Sequence, residues 1–175
     1  TAALTGVERI HNLSVDRHGK VLHVQFDEYL PHALWCESRE GVRCVFLTES
    51  GYGFAPAPVL TGGAFVRYVT LGTSVAPDMQ AIDSADFALL RDLQQRLSEL
   101  GWYAHTMEID KERDVFVHMV GGGELKTTLT TTPSMTVDNL RTVLTSEDFA
   151  HIAPGAFVYI DLRFGNKEFV SEFGD

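Results

Sequence analysis

Little in this chain points to catalysis, nucleic acid or a membrane span, and each deficit narrows what the protein does. No apolar run reaches the roughly 20 residues that a membrane helix needs, and no basic-then-apolar segment opens the chain. Basic residues are scarce: 14 Lys and Arg stand against 24 Asp and Glu, a formal net charge of −10. Binding to a phosphate backbone draws on clustered cations that release counterions, so nucleic acid is not an expected partner. There are only two cysteines, and without a second Cys or His pair at ligand spacing they do not make a zinc site. The seven histidines include no His-Glu-x-x-His pair. His23, His105 and His118 lie in strand-like runs, where an exposed or hydrogen-bonded imidazole is the default.

No Gly-x-Ser-x-Gly elbow occurs, and neither cysteine has a neighbour that suggests a nucleophile. Gly121-Gly122-Gly123 lacks a following Gly-Lys-Ser/Thr and falls between strands, so a turn is expected there and not a phosphate loop. Carboxylates are plentiful, as on any acidic surface, and none pairs in sequence as general acid and base. No catalytic, cofactor-binding or metal-binding residue is assigned, and no cofactor is expected.

What the chain does have is strand patterning. Its 175 residues, 45% hydrophobic, suffice for one ordinary core or two small ones. In residues 158–164, Val158, Ile160, Leu162 and Phe164 alternate with Tyr159, Asp161 and Arg163, which predicts a strand with a core face and a wet face. Gly165-Asn166 is a two-residue loop of the kind that permits positive φ, so residues 167–170 are expected to return antiparallel. A final strand of this kind belongs at a sheet edge, whose unpaired N–H and C=O groups are either guarded or used to capture another strand.

Residues 10–15 and 21–29 read as a further hairpin with its turn at 16–20. Pro31 interrupts, and a unit boundary is expected near residues 29–32, with strands at 33–36 and 42–47 beyond it. Gly51, Gly53, Pro56, Pro58 and Gly62-Gly63 suggest a loop-rich connection, with a short strand at 65–71. Ser84 is the expected N-cap of a helix carrying Phe87, Leu90, Leu93, Leu97 and Leu100 at helical spacing up to Gly101. Strands at 102–109, 114–120 and 124–130 follow as a meander, then a second helix capped by Thr136 and a short helical turn from Ser146. The order predicts an α+β fold, a partial hairpin unit followed by a largely antiparallel sheet with two packed helices and a C-terminal edge hairpin. Cys36 and Cys44 flank a short polar loop between two expected strands. A disulfide, contributing roughly 2–3 kcal/mol in an oxidising compartment, and a pair of buried thiols are both open readings.

Several of these segments, taken in order, resemble the bacterial cell-division FtsQ/DivIB family. Residues 22–35 contain Glu28, Pro31, Ala33 and Trp35 in the pattern with which that family's POTRA domain ends. Residues 47–54 are similar to the strand, turn and buried Phe that follow it, and Leu100-Gly101-Trp102 and the closing Asp161-Leu162-Arg163-Phe164-Gly165-Asn166 fit its C-terminal β domain. The likeness runs from about residue 7 to residue 173. Three features depart from it: residues 16–20 lack the family's aromatic residue and Pro, Phe173-Gly174 stands where some relatives have Gly-Trp, and the cysteine pair is not general.

The resemblance implies that residues 1–32 are the C-terminal part of a POTRA domain and residues 33–175 the β domain. It implies a single-pass protein of the cell inner (plasma) membrane, anchored by an N-terminal helix upstream of Thr1, with this chain on the extracytoplasmic side at the septum. Its partners would be FtsB/DivIC-like and FtsL-like division proteins, and it would not be an enzyme. By position, the partner-binding residues would be Arg163, Phe164 and Asn166, with Lys167, Glu168, Phe169, Val170 and Ser171 as the docking strand. The alternatives are a POTRA-type module of outer-membrane assembly or secretion and, from another class, an extracytoplasmic hydrolase built from scattered carboxylates or histidines.

Overall fold

Period-two alternation of apolar residues dominates the chain, and sheet dominates the fold. The computed structural model describes residues 9–60, 62–164 and 169–172. The elements are β1 (Ile10–His18), β2 (Val21–Glu28), β3 (Ala33–Cys36), β4 (Cys44–Leu47), β5 (Tyr52–Ala57), β6 (Arg67–Thr70), β7 (Met79–Gln80), α1 (Ser84–Glu99), β8 (Ala104–Ile109), β9 (Asp114–Met119), β10 (Glu124–Thr128), α2 (Pro133–Thr145), β11 (Phe157–Asp161) and β12 (Phe169–Glu172). β1 and β2 form a two-stranded ribbon of their own, and the others form one sheet in the order β12-β11-β10-β9-β8-β6-β3-β4-β5-β7. Most neighbours are antiparallel; β3 with β6, β6 with β8 and β10 with β11 are parallel, the last two pairs joined through α1 and α2. The fold is α+β.

Both helices pack on one face of the large sheet. Phe87, Leu90, Leu93 and Leu97 of α1 and Val137, Leu140 and Val143 of α2 are buried with Trp35, Tyr68, Met107, Val117, Leu125, Phe157 and Ile160. Each such side chain stabilises the fold by about 1.5–3 kcal/mol through its removal from water. On the opposite face Leu34, Cys36, Cys44 and Val69 form a smaller cluster under Leu60 and Phe65. Cys36 and Cys44 face each other across β3 and β4 and are joined as a disulfide, Cα atoms 4.1 Å apart.

Several boundaries differ from the sequence expectation. The first hairpin turns in two residues, Gly19 and Lys20, because Gly19 takes φ +62° and lets β1 run on to His18. β4 starts at Cys44 and not at residue 42, after Gly41 at φ +67°. The supposed loop after Gly51 contains β5, in which Pro56 is tolerated because β7 pairs only with Tyr52 and Gly53, leaving the outer side beyond them without a ladder. The cap of α1 is Asp83, one residue before Ser84: its carboxylate accepts from the Ala85 and Asp86 amides. α2 begins at Pro133 with Thr132 as cap, and Thr136 lies inside the helix, buried and 3.0 Å from the Thr127 hydroxyl.

The β1–β2 ribbon is exposed along nearly its whole length. Its register pairs Leu13 with Phe26, Val15 with Val24 and Arg17 with Leu22, so the apolar side chains share one face. Tyr29 joins the ribbon to the large sheet, its ring 5.6 Å from Tyr52 and 5.2 Å from Phe54.

Candidate partner-docking edge

The end of the sheet formed by β11 and β12 is built from a glycine turn outward. Gly121, Gly122 and Gly123 all have positive φ, and the Gly155 amide donates to the Gly122 carbonyl at 2.9 Å. Phe157 fits beneath this turn so closely that a Cβ on Gly123 would lie 2.6 Å from the ring, and Trp102 stacks on the same ring at 5.5 Å between centroids. The triple glycine is thus a packed turn that fixes where β11 starts. β11 then runs parallel to β10, pairing Tyr159 with Glu124 and Asp161 with Lys126.

β12 lies antiparallel on the outer side of β11, pairing Phe169 with Asp161, Val170 with Ile160 and Ser171 with Tyr159. It has no second neighbour among the described residues and is the rim of the sheet. The expected antiparallel return is present as β12, but β11 ends at Asp161, before the residue 164 at which the expected strand closes. The two-residue loop at Gly165-Asn166, together with Asn166, Lys167 and Glu168 of the expected site, lies outside the described residues.

The alternation expected over residues 158–164 also breaks. A register shift between Phe157 and Tyr159 buries Phe157, exposes Val158, and leaves Ile160, Asp161 and Leu162 buried in succession. Phe164 falls in the turn after β11, is 55% exposed, and meets the 50% exposed Phe169 edge to face at 5.8 Å. Val170 packs against the main core, and Ser171 is half-buried. The strand therefore anchors by Val170 and presents Phe169.

Because strands pair in register, residues on the face away from the helices form rows that end at this rim. One row runs Glu108, Phe116, Lys126, Asp161, Phe169; the next runs Thr106, His118, Glu124, Tyr159, Ser171. Lys126 stands 4.0 Å from the centre of the Tyr159 ring and 3.6 Å from Glu124. His118 is buried between Glu124 at 3.4 Å and Glu108 at 3.6 Å, and Arg39, on the disulfide-closed loop, donates to Glu108 at 2.5 Å. Burial, then the nearby His118 and Arg67, hold the His105 imidazole below its usual pKa.

Arg163 is the most connected residue beside the rim. Its side chain reaches both oxygens of Asp161, 2.7 Å to Oδ2 from one terminal nitrogen, and crosses to Asp114 of β9 at 2.6 Å with the other. The Arg163 amide also donates to Asp161 Oδ1 at 3.1 Å. These bonds, to Asp161 first and Asp114 second, raise the guanidinium pKa. Burial pushes the Asp161 carboxyl up, but the Arg163 hydrogen bonds outweigh it and hold that carboxyl below the usual carboxylate range. Asp114, Phe116 and Lys126 were missed in the sequence: the alternation of residues 114–119 puts Asp114 and Phe116 on one face, but nothing local connects them with Arg163.

For a hydrolase the structure offers a cleft of about 660 Å³ where the ribbon meets the large sheet, lined among others by His11, Glu28, His32, Glu49 and Arg91. Arg91 is engaged there by the Glu49 carbonyl and carboxylate at 2.7 and 3.1 Å, and the Thr48 and Ser50 hydroxyls bond one another. Among the described residues, no three His, Cys, Asp or Glu side chains converge to hold a metal ion. No protein-family model matches the chain, and no curated protein matches it.

Proposed function

We propose that this protein is a non-catalytic scaffold of the bacterial division complex that captures FtsB/DivIC-like and FtsL-like partners by strand addition at β12. One observation carries most of the weight: β12 is the rim of a ten-stranded sheet, and among the described residues β11 is its sole neighbour. A rim strand has outward N–H and C=O groups that an incoming extended segment can satisfy, each bond contributing about 0.5–1.5 kcal/mol net. Backbone pairing does not discriminate between sequences, so the exposed Phe164 and Phe169 at the same rim supply selectivity.

The division of the strands supports the same reading. The separate ribbon and the large sheet divide at residues 29–32, where the family's POTRA domain would give way to its β domain. A two-stranded ribbon is marginal alone, and the apolar face carrying Leu13, Val15, Leu22, Val24 and Phe26 suits a strand pair from a larger domain. The anchor in the inner (plasma) membrane belongs to the proposal, since no helix among the described residues is long and apolar enough to cross a bilayer.

The experiment is a titration with a synthetic peptide from the extracytoplasmic end of the FtsB-like protein of the same organism. Phe164→Ala and Phe169→Pro are each expected to weaken binding at least tenfold. Undiminished binding by both variants would overturn the assignment of the site.

A further inference from the structure

The residues at the rim do not all face outward in the chemical sense. Arg163 has the only guanidinium on the described part of the β11–β12 connection, and a free guanidinium there would recruit an acidic partner side chain. Its nitrogens, however, are directed at two carboxylates of the protein itself, Asp161 and Asp114, whose side chains are 8% and 25% exposed. The pair of bonds to Asp161 ties Arg163 to the end of β11, and the bond to Asp114 ties it across β10 to β9. The same guanidinium lies 5.9 Å from the Phe116 ring and 5.5 Å from the Phe164 ring. It therefore fixes the residue immediately before Phe164, and through Phe164 the edge-to-face contact with Phe169.

We infer that Arg163 is a positioning residue: with Asp161 and Asp114 it braces residues 163 and 164 where they leave β11, so that Phe164 and Phe169 are presented at a preformed rim, and it does not itself read charge on the partner. Attraction of an acidic partner residue would require the guanidinium to leave at least one of two carboxylates already in place. The cluster of two carboxylates and one guanidinium carries a net −1, which gives an incoming carboxylate no advantage. This inference rests on the docking function proposed above.

Two measurements separate the brace from a direct contact, and the first is read without any partner, so that its failure is distinct from failure of the docking proposal. The first is amide hydrogen exchange of the protein without partner. Charge-assisted hydrogen bonds of this kind are strong enough that Asp114→Asn and Arg163→Met should each speed exchange of residues 169–172 by roughly tenfold, leaving β8 unchanged. Unchanged exchange of residues 169–172 in both variants would overturn the brace, whatever the protein binds. The second is a double-mutant cycle with the same FtsB-like peptide. Asp114→Asn and Arg163→Met should weaken binding by similar factors, and the double variant should bind within about twofold of the weaker single variant. If Asp114→Asn bound as well as or better than wild type while Arg163→Met lost binding, Arg163 would be a partner contact and the brace would be wrong, with the docking function left standing.

Discussion

Replacing Asp161 by Asn keeps the side-chain volume and removes the charge on which the rim's ion cluster turns. Its carboxylate is 8% exposed and accepts from the Arg163 amide, from Nε at 3.0 Å and from a terminal nitrogen at 2.7 Å. Asn would leave one acceptor oxygen and put an amide donor against guanidinium donors. Hydrogen bonds to charged groups are worth about 1.5–3 kcal/mol, and Arg163 keeps Asp114 and some water, so about 2 kcal/mol of lost stability is expected at pH 7. In a chain of this size that lowers Tm by about 4–8 °C. The sign of the pH dependence follows from the native carboxyl pKa being held below its ordinary value. Such a group contributes fully above its unfolded pKa of about 3.9, and its contribution is lost as pH falls through the lower native value. Urea unfolding of both proteins from pH 7 to pH 3 should thus show a gap at neutral pH that narrows only in acid. A gap under about 0.5 kcal/mol at pH 7, or one that persists unchanged at pH 3, would refute the reasoning.

Three other outcomes follow from the same structure. Replacing both Cys36 and Cys44 by Ala removes a bridge spanning 8 residues of sequence and should cost about 2.5 kcal/mol by the loop-entropy estimate; a reductant should then no longer alter Tm. Gly123→Ala must both hold φ near +91° and displace the Phe157 ring, a loss of about 2–4 kcal/mol in urea unfolding. Gly122→Ala, whose Cβ would meet nothing closer than 3.7 Å, should lose only the backbone part, and equal losses would show that the Phe157 contact is unimportant. Because folding lowers the His105 pKa, its neutral form stabilises the protein above about pH 6.5 and this contribution declines as pH falls toward the native value. Thermal melts of His105→Gln between pH 7.5 and pH 5 should have a shallower slope than wild type.

Elements with a strong local pattern were legible in the sequence, and those that depend on distant chain were not. The stripe Phe87, Leu90, Leu93, Leu97 announced α1, and only its cap shifted, because Asp83 and Ser84 are both good caps and the backbone turns helical at the second of them. β5 was hidden by Gly53 and Pro56; Pro56 breaks an interior strand, but here it lies beyond the two residues that β7 pairs with, on the open side. The terminal hairpin was visible from its alternation, yet the register shift at Phe157 reassigned Val158, Asp161 and Phe164 to other surroundings. Parallel pairing of β10 with β11 across α2 sets β11 between β10 and β12 and makes β12 the rim. The Asp114–Arg163 bond joins residues 49 positions apart and leaves no mark on local sequence.

Strand addition makes a prediction about particular amides. In β12, alternate residues direct their N–H groups toward β11 and away from it, so half of the amides of residues 169–172 are protected by the fold and half are open. Residue-resolved hydrogen exchange with and without saturating FtsB-like peptide tests the central claim most directly. The outward amides of β12 should gain protection on binding while those of the β1–β2 ribbon and of β7 at the opposite rim stay as they were. Tight binding that protected the ribbon or β7, and left the outward amides of β12 exchanging freely, would contradict it.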